Sequence, residues 1–219
     1  MKKIFNYTLL GIVSILVSYY VTMGFLQGNI SQDIPEEKNN VTFTDTENTS
    51  DNLYKTIYLA GGCFWCIEGA FDEFPGVVSA VSGYAGGTQE TATYKQVVQG
   101  NTLHRETVKI TYIPMKTDVD TLLERYFNYI DPFDEAGQFA DRGFQYTTAI
   151  FYKDEIEKKY FEKYISDNFD KPLATKLVLF SGFIEAEEEH QNYAKKQSQH
   201  YQRYYKGSGR KDYVEGKKE

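Results

Sequence analysis

The sequence predicts an α+β fold, a two-layer sandwich of a mixed sheet and helices, preceded by an N-terminal membrane segment. Three observations predict it. From Leu53 onward, segments alternating at period two interleave with segments of helical spacing. Residues 1–26 hold an apolar run, with no charge between Lys3 and Asp33. Between the two lies a polar stretch, residues 27–52, rich in Asn, Thr, Asp, Glu and Ser. The expected organisation is therefore a signal-anchor (1–26), a flexible acidic tether (27–52), a folded domain (53–205) and a polar C-terminal tail (206–219).

The elements follow in order. "YKTIYLA" reads as a strand. "FWCIEGAFDEF" has helical spacing, with Phe64, Ile67, Phe71 and Phe74 on one face, and Pro75-Gly76 ends it. "VVSAVSGY" is strand-like and "YAGG" a turn. "TYKQVVQG" reads as a short helix closed by Gly100. "ETVKITYI" alternates as a half-buried strand does. "VDTLLERYFNYI" is an amphipathic helix and "QYTTAIFY" a strand. "DEIEKKYFEKYISDNF" is a helix with an Asp start and acids in its first turn. "TKLVLFSGFIEAE" reads as one strand and "EEEHQNYAKKQ" as a helix. The tail after Lys206 carries only weak signals, and either wraps the domain or trails free. The interleaving fits two layers around a ferredoxin-like core.

Lys2 and Lys3 precede "YTLLGIVSILVSYYVTMGFL", an uncharged run about the ~20 residues that cross a bilayer as a helix. The basic flank stays cytoplasmic and sends the remainder outside. A retained anchor is favoured over a cleaved signal peptide, because the run is long and no clear Ala-x-Ala site follows. No Cys follows it either, which excludes a lipoprotein anchor. The expected location is extracytoplasmic. The tether has too few large apolar side chains to offset its chain entropy. The formal net charge of −7 argues against non-specific nucleic-acid binding.

Both cysteines, Cys63 and Cys66, flank Phe64 and the only Trp, Trp65, directly after Gly61-Gly62. Four readings compete. Free cysteines pack in cores as small hydrophobes. An exported chain can keep a disulfide, but so short a loop stabilises little. A metal site with His104 and His190 lacks the short ligand spacing of zinc half-sites, so no metal is expected. Redox chemistry at a reactive thiolate suits a Cys-x-x-Cys at a strand-to-helix turn, because a helix N-terminus favours the anion.

The segment "GGCFWCIEGAFDEFPGVVSAVSGYAGG" resembles the signature of the A-type peptide methionine sulfoxide reductases. "GNTLHRETVKITY", "DRGFQYTTAIFY" and "IEAEEEHQNY" resemble further segments of that family, in the same order, over residues 54–205. The resemblance implies reduction of methionine S-sulfoxide, with oxidised proteins or peptides as substrates. It implies Cys63 as nucleophile and Glu106 as an acid kept protonated by burial. Tyr84 and Tyr146 would be phenolic donors to the sulfoxide oxygen, and Asp141 would orient the network. Phe64 and Trp65 would bind the S-methyl group.

Read from the residues alone, each of these has a plainer role. Glu106 lies in an alternating strand and would face solvent. The two tyrosines are among 19 and would be packing residues, and Asp141 would be a turn-former. His104 receives no role, His190 a structural one, and Glu187–Glu189 read as a solvated face.

The chain has no cysteine after Cys66, so Cys66 is the expected resolving thiol, with a thioredoxin-like protein as reductant; the rival is a one-cysteine cycle in which an external thiol attacks Cys63 directly. Thr147-Thr148 stand where the family more commonly has Arg-Ser. No cofactor is implied, because no phosphate-binding glycine loop is present, and a monomer is expected. The competing reading is a thiol–disulfide oxidoreductase acting on protein disulfides.

Overall fold

A computed structural model describes residues 53–217. The expected membrane segment 1–26 and tether 27–52 lie outside the described residues. Among those described, no helix is long and apolar enough to cross a membrane.

The chain opens with β1 (Lys55–Ala60), where Ile57 and Leu59 point into the main core and Tyr58 and Ala60 to the opposite face. Helix α1 (Phe64–Phe71) follows, then β2 (Val77–Ala85), a 3-10 turn (Gln89–Thr91) and the short α2 (Tyr94–Val97). Strand β3 (Arg105–Tyr112) leads to α3 (Val119–Tyr129), whose first turn is capped by Asp118 accepting from the Thr121 N–H at 2.8 Å. A small hairpin, β4 (Gly137–Gln138) and β5 (Asp141–Arg142), precedes a 3-10 turn (Phe144–Tyr146) and β6 (Ala149–Tyr152). Then come α4 (Glu155–Asn168), capped by Asp154, β7 (Lys176–Leu179) and β8 (Phe183–Glu185).

The main sheet runs β7-β6-β1-β3-β2-β8. Every pair in it is antiparallel except β6–β7. Its four central strands, β6-β1-β3-β2, are joined through α1 and α3, the interleaved βαβ arrangement of a ferredoxin-like core. Phe64, Ile67 and Phe71 of α1 and Leu122, Leu123 and Tyr126 of α3 pack on the sheet face that carries Ile57, Leu59, Val108 and Ile110. Burial of each such side chain contributes about 1.5–3 kcal/mol. Aromatics cover the other face, where Tyr58 stacks on Phe180 with centroids 4.2 Å apart.

Three expectations change. The single strand read over 175–187 is two, and they lie at opposite edges of the sheet. Ser181-Gly182, with Gly182 at φ 142°, breaks the run. The helix read over 187–197 is a 3-10 turn (Glu188–His190), a left-handed Asn192 at φ 54° and only one turn of α5 (Tyr193–Lys196). Tertiary contacts override its helical pattern. Glu68 accepts from the Asn192 and Tyr193 N–H groups at 3.0 and 3.2 Å, and the Gln191 amide pairs with the Ser82 backbone. Thirdly, the strand read over 145–152 begins only at Ala149, after the 3-10 turn. The C-terminal residues form α6 (Ser198–Gly207) and α7 (Arg210–Gly216), which pack against the domain through Tyr201, Arg210 and Val214.

Candidate active site

Cys63 sits where β1 turns through Gly61-Gly62 into α1. Gly62 holds φ 80°, and a Cβ there would lie 2.6 Å from both Arg210 Nη2 and Gln138 Cβ. Only glycine fits this turn. Cys63 is the N-cap of α1, yet no side-chain cap from Cys63 satisfies the first turn. The cap comes from the sheet, where Glu106 Oε2 accepts the Phe64 N–H at 2.9 Å. The carboxyl is thereby fixed beside Phe64, the residue after Cys63. Glu106 is 2% exposed, because it shares period-two parity with Val108 and Ile110 on the helix-facing side of β3. The plainer reading, a solvent-facing strand residue, is thus corrected: equal parity puts Glu106 on the core face.

Burial dominates the electrostatics. It pushes the Glu106 carboxyl up to about 8, with Asp141 and Cys66 adding to it and the Phe64 N–H and Arg210 opposing. Glu106 therefore holds its proton at neutral pH. Cys63 and Cys66 are free thiols, 5% and 0% exposed, and they interact directly. Burial and the contact with Cys66 push Cys63 well up. Burial also opposes ionisation of Cys66, but the hydrogen bond from Cys63 and the Arg210 charge outweigh it and lower that thiol. Of the two thiols, Cys66 is thus the easier to ionise.

Tyr84 faces Glu106 directly across the β2–β3 ladder, but its hydroxyl donates to Glu187 Oε2 at 2.7 Å. Tyr84 is thus a brace for the "EAEEEH" loop. Glu187 also accepts the Tyr94 N–H at 2.9 Å, so it is not the solvated face that its acidic neighbours suggest. Tyr94 and Tyr146 are half-buried phenols whose hydroxyls carry no hydrogen bond among the described residues. Burial, then the charge of Glu106, raises both, Tyr94 to about 12. Asp141, on β5, accepts from the Tyr204 hydroxyl of α6, and burial raises its carboxyl. Phe64 is fully buried and packs against Tyr84, Tyr94 and His190. The Trp65 indole lies flat on Tyr193, 3.8 Å between centroids, with Tyr204 edge-on at 6.1 Å. Tyr201 completes the cluster around the two sulfurs. His104 is buried, its Nε2 2.9 Å from the Thr88 carbonyl oxygen, and supports the turn at Gly87.

Sequence reasoning missed Tyr94, Glu187, Tyr204 and Arg210. The first lay in a helix read only for its ends. Arg210 and the Tyr204 end of α6 lay where no apolar periodicity announced a packed face.

Comparison with known proteins identifies the family. The family described as peptide methionine sulfoxide reductase matches residues 55–219. Peptide methionine sulfoxide reductase MsrA 2 of Staphylococcus aureus (strain MW2) is 44% identical over 162 residues, 72% of this chain and 92% of that protein. Peptide methionine sulfoxide reductase MsrA of Halalkalibacterium halodurans is 46% identical over 161 residues, 71% of this chain and 92% of that protein. Among solved structures, reduced Mxr1 from Saccharomyces cerevisiae superposes with a TM-score of 0.63 at 28% identity, covering 67% of this chain and 87% of that one. Methionine sulfoxide reductase A of Corynebacterium diphtheriae gives 0.58 at 31% identity, covering 66% and 76%. With the family model matching residues 55–219 and relatives 44–46% identical over more than two thirds of the chain, this chain belongs to the peptide methionine sulfoxide reductase family.

Proposed function

We propose that this protein reduces methionine S-sulfoxide in peptides and proteins, with Cys63 as nucleophile and Glu106 as proton donor. The observation that carries the reading is Glu106: a dry carboxyl, raised to about 8, held by one oxygen against the backbone of Phe64. Oε2 accepts that N–H, which leaves Oε1 to carry the proton toward a sulfoxide oxygen. Tyr94 and Tyr146 are the free phenols beside it and would complete the oxygen cradle.

Cys66 accepts the Cys63 proton, and the Cys63 sulfur attacks the sulfoxide sulfur. The S–O bond breaks as Glu106 protonates the oxygen, leaving a Cys63–methionine S–S bond and a released hydroxyl. That oxygen then attacks the Cys63 sulfur and the S–S bond breaks. Methionine leaves with the electron pair, reduced by two electrons, and Cys63 becomes a sulfenic acid. The Cys66 sulfur then attacks it, water departs, and a Cys63–Cys66 disulfide forms. A dithiol reductant of the thioredoxin type restores both thiols and is itself oxidised to a disulfide.

We further infer that residues 1–26 hold the enzyme at the outer face of a membrane; the support is the uncharged run after Lys2-Lys3. Full-length protein should sediment with membranes and a form lacking residues 1–26 should not. Equal partition of the two would remove this inference.

The catalytic reading is tested with a methionine sulfoxide peptide and dithiothreitol. Wild type should turn over and Cys63→Ser should not. Glu106→Gln should lose roughly 10²–10⁴-fold, the usual worth of a positioned acid. Mass spectrometry after one turnover without reductant should find the Cys63–Cys66 disulfide. A disulfide exchanger would instead reduce insulin and be indifferent to Glu106, and that result would end the proposal.

A further inference from the structure

Arg210 is the largest fully buried side chain among the described residues, at 0% exposure. Its guanidinium donates from Nη2 to the Gly61 carbonyl at 2.8 Å and from Nη1 to the Tyr129 carbonyl at 2.9 Å. It lies over the Phe139 ring, 4.7 Å from the centroid. Among the described residues no carboxylate pairs with it directly. A full charge buried against neutral acceptors alone is costly. The turn above it explains its position: Nη2 fills the space where a Gly62 Cβ would stand.

The ionisable groups around that charge are few. Cys66 faces it from α1, Glu106 from β3 and Asp141 from β5. Tyr205 of α6 and Tyr126 of α3 complete the surroundings, and burial keeps these phenols protonated. Glu106 holds its own proton at neutral pH. Asp141 already takes a proton donor from Tyr204. The buried cation thus lacks a committed partner unless one sulfur is anionic.

We propose that Arg210 is a positioning residue of this centre. It carries the Gly61–Gly62 turn on its guanidinium, and it supplies the positive charge against which the Cys63–Cys66 pair keeps one anionic sulfur. The proposal rests on the cysteine-centred reading above, but its test uses no sulfoxide.

The thiolate ultraviolet absorbance of the reduced full-length protein is titrated against pH, with the Cys63→Ser/Cys66→Ser protein as baseline. Arg210→Met should raise the midpoint by about one pH unit or more, as expected for loss of a nearby opposite charge. Arg210→Lys should recover at least half of that rise. A folded Arg210→Met protein that titrates like wild type overturns the proposal.

Circular dichroism reports whether Arg210→Met folds. If it does not, thermal unfolding of the double Ser protein decides. A sulfur ionised more easily in the fold than in the unfolded chain stabilises as pH rises through its folded midpoint. The double Ser protein should therefore match wild type below that midpoint and melt earlier above it. Equal melting at every pH overturns the proposal. If the titration behaves as expected but wild type leaves sulfoxide untouched, the charge role stands and the reductase reading falls.

Discussion

Glu106 owes its chemistry to dryness and to a single backbone donor. Its carboxyl is raised to about 8, so the proton-bearing form dominates at neutral pH and is lost as pH rises through that value. Turnover should show a descending limb near pH 8 that Glu106→Gln lacks. Stability carries the same signature with a definite sign. The folded acid binds its proton more tightly than the unfolded one, near ~4.3, so wild type loses stability as pH climbs between the two values. The loss is about 1.4 kcal/mol for each pH unit between folded and unfolded values. Glu106→Gln removes the titration, so urea unfolding should find it gaining on wild type from pH 5 to pH 9. Parallel pH profiles for the two proteins would mean that Glu106 ionises freely and is no donor. The resemblance points to a buried Glu106, whereas the alternation with Val108 and Ile110 reads by itself as facing solvent, although equal parity places all three on the core face. Which phenols are free was not legible. Tyr84 lies directly across the ladder from Glu106, and only Glu187, more than one hundred residues away in sequence, takes its hydroxyl out of play.

The turn that launches α1 has almost no slack. Gly62 needs φ 80°, and its α-hydrogen faces Arg210 and Gln138. Neither neighbour yields easily. Gln138 is fully buried, with its amide bonded to the Asp131 backbone at 2.8 Å on both sides, and Arg210 is held by two carbonyls. Gly62→Ala should cost roughly 1–2 kcal/mol for the left-handed backbone and a further 1–3 for overpacking. A drop in urea midpoint of that order is the expected result; a midpoint within error of wild type would mean that the turn is looser than its contacts imply. Strands and helices with strong periodicity, such as β3, α3 and α4, were legible in the sequence. Elements fixed by distant partners were not. Phe183–Glu185 reads as a continuation of Lys176–Leu179, yet joins β2 at the far edge. The pattern over 187–197 is helical in isolation, but Glu68 and Gln191 hold it open.

Over the whole molecule, the C-terminal helices close the site that the sheet builds. Cys63 is only 5% exposed, and Tyr193, Tyr201 and Tyr204 stand with Trp65 over the two sulfurs. On the proposed mechanism, a peptide carrying a sulfoxide has to displace part of that aromatic cover to reach Cys63. Polar ties hold the cover down, among them the Tyr204 hydroxyl on Asp141 and the Tyr193 N–H on Glu68. A hydrogen bond to a carboxylate is worth about 1.5–3 kcal/mol net, so deleting it should favour the open state on the order of ten-fold or more. Tyr204→Phe keeps the ring against Trp65 and removes only the tie. Iodoacetamide should then alkylate Cys63 faster than in wild type by that order, with rates compared at the high-pH plateau so that thiol ionisation does not enter. Peptide KM should fall or hold while the closed state loses ground. The sulfurs of this closed fold would then be reached through α6, by opening that the Tyr204 phenol restrains. Should Tyr204→Phe react no faster than wild type, access runs by another path and α6 is a fixed wall.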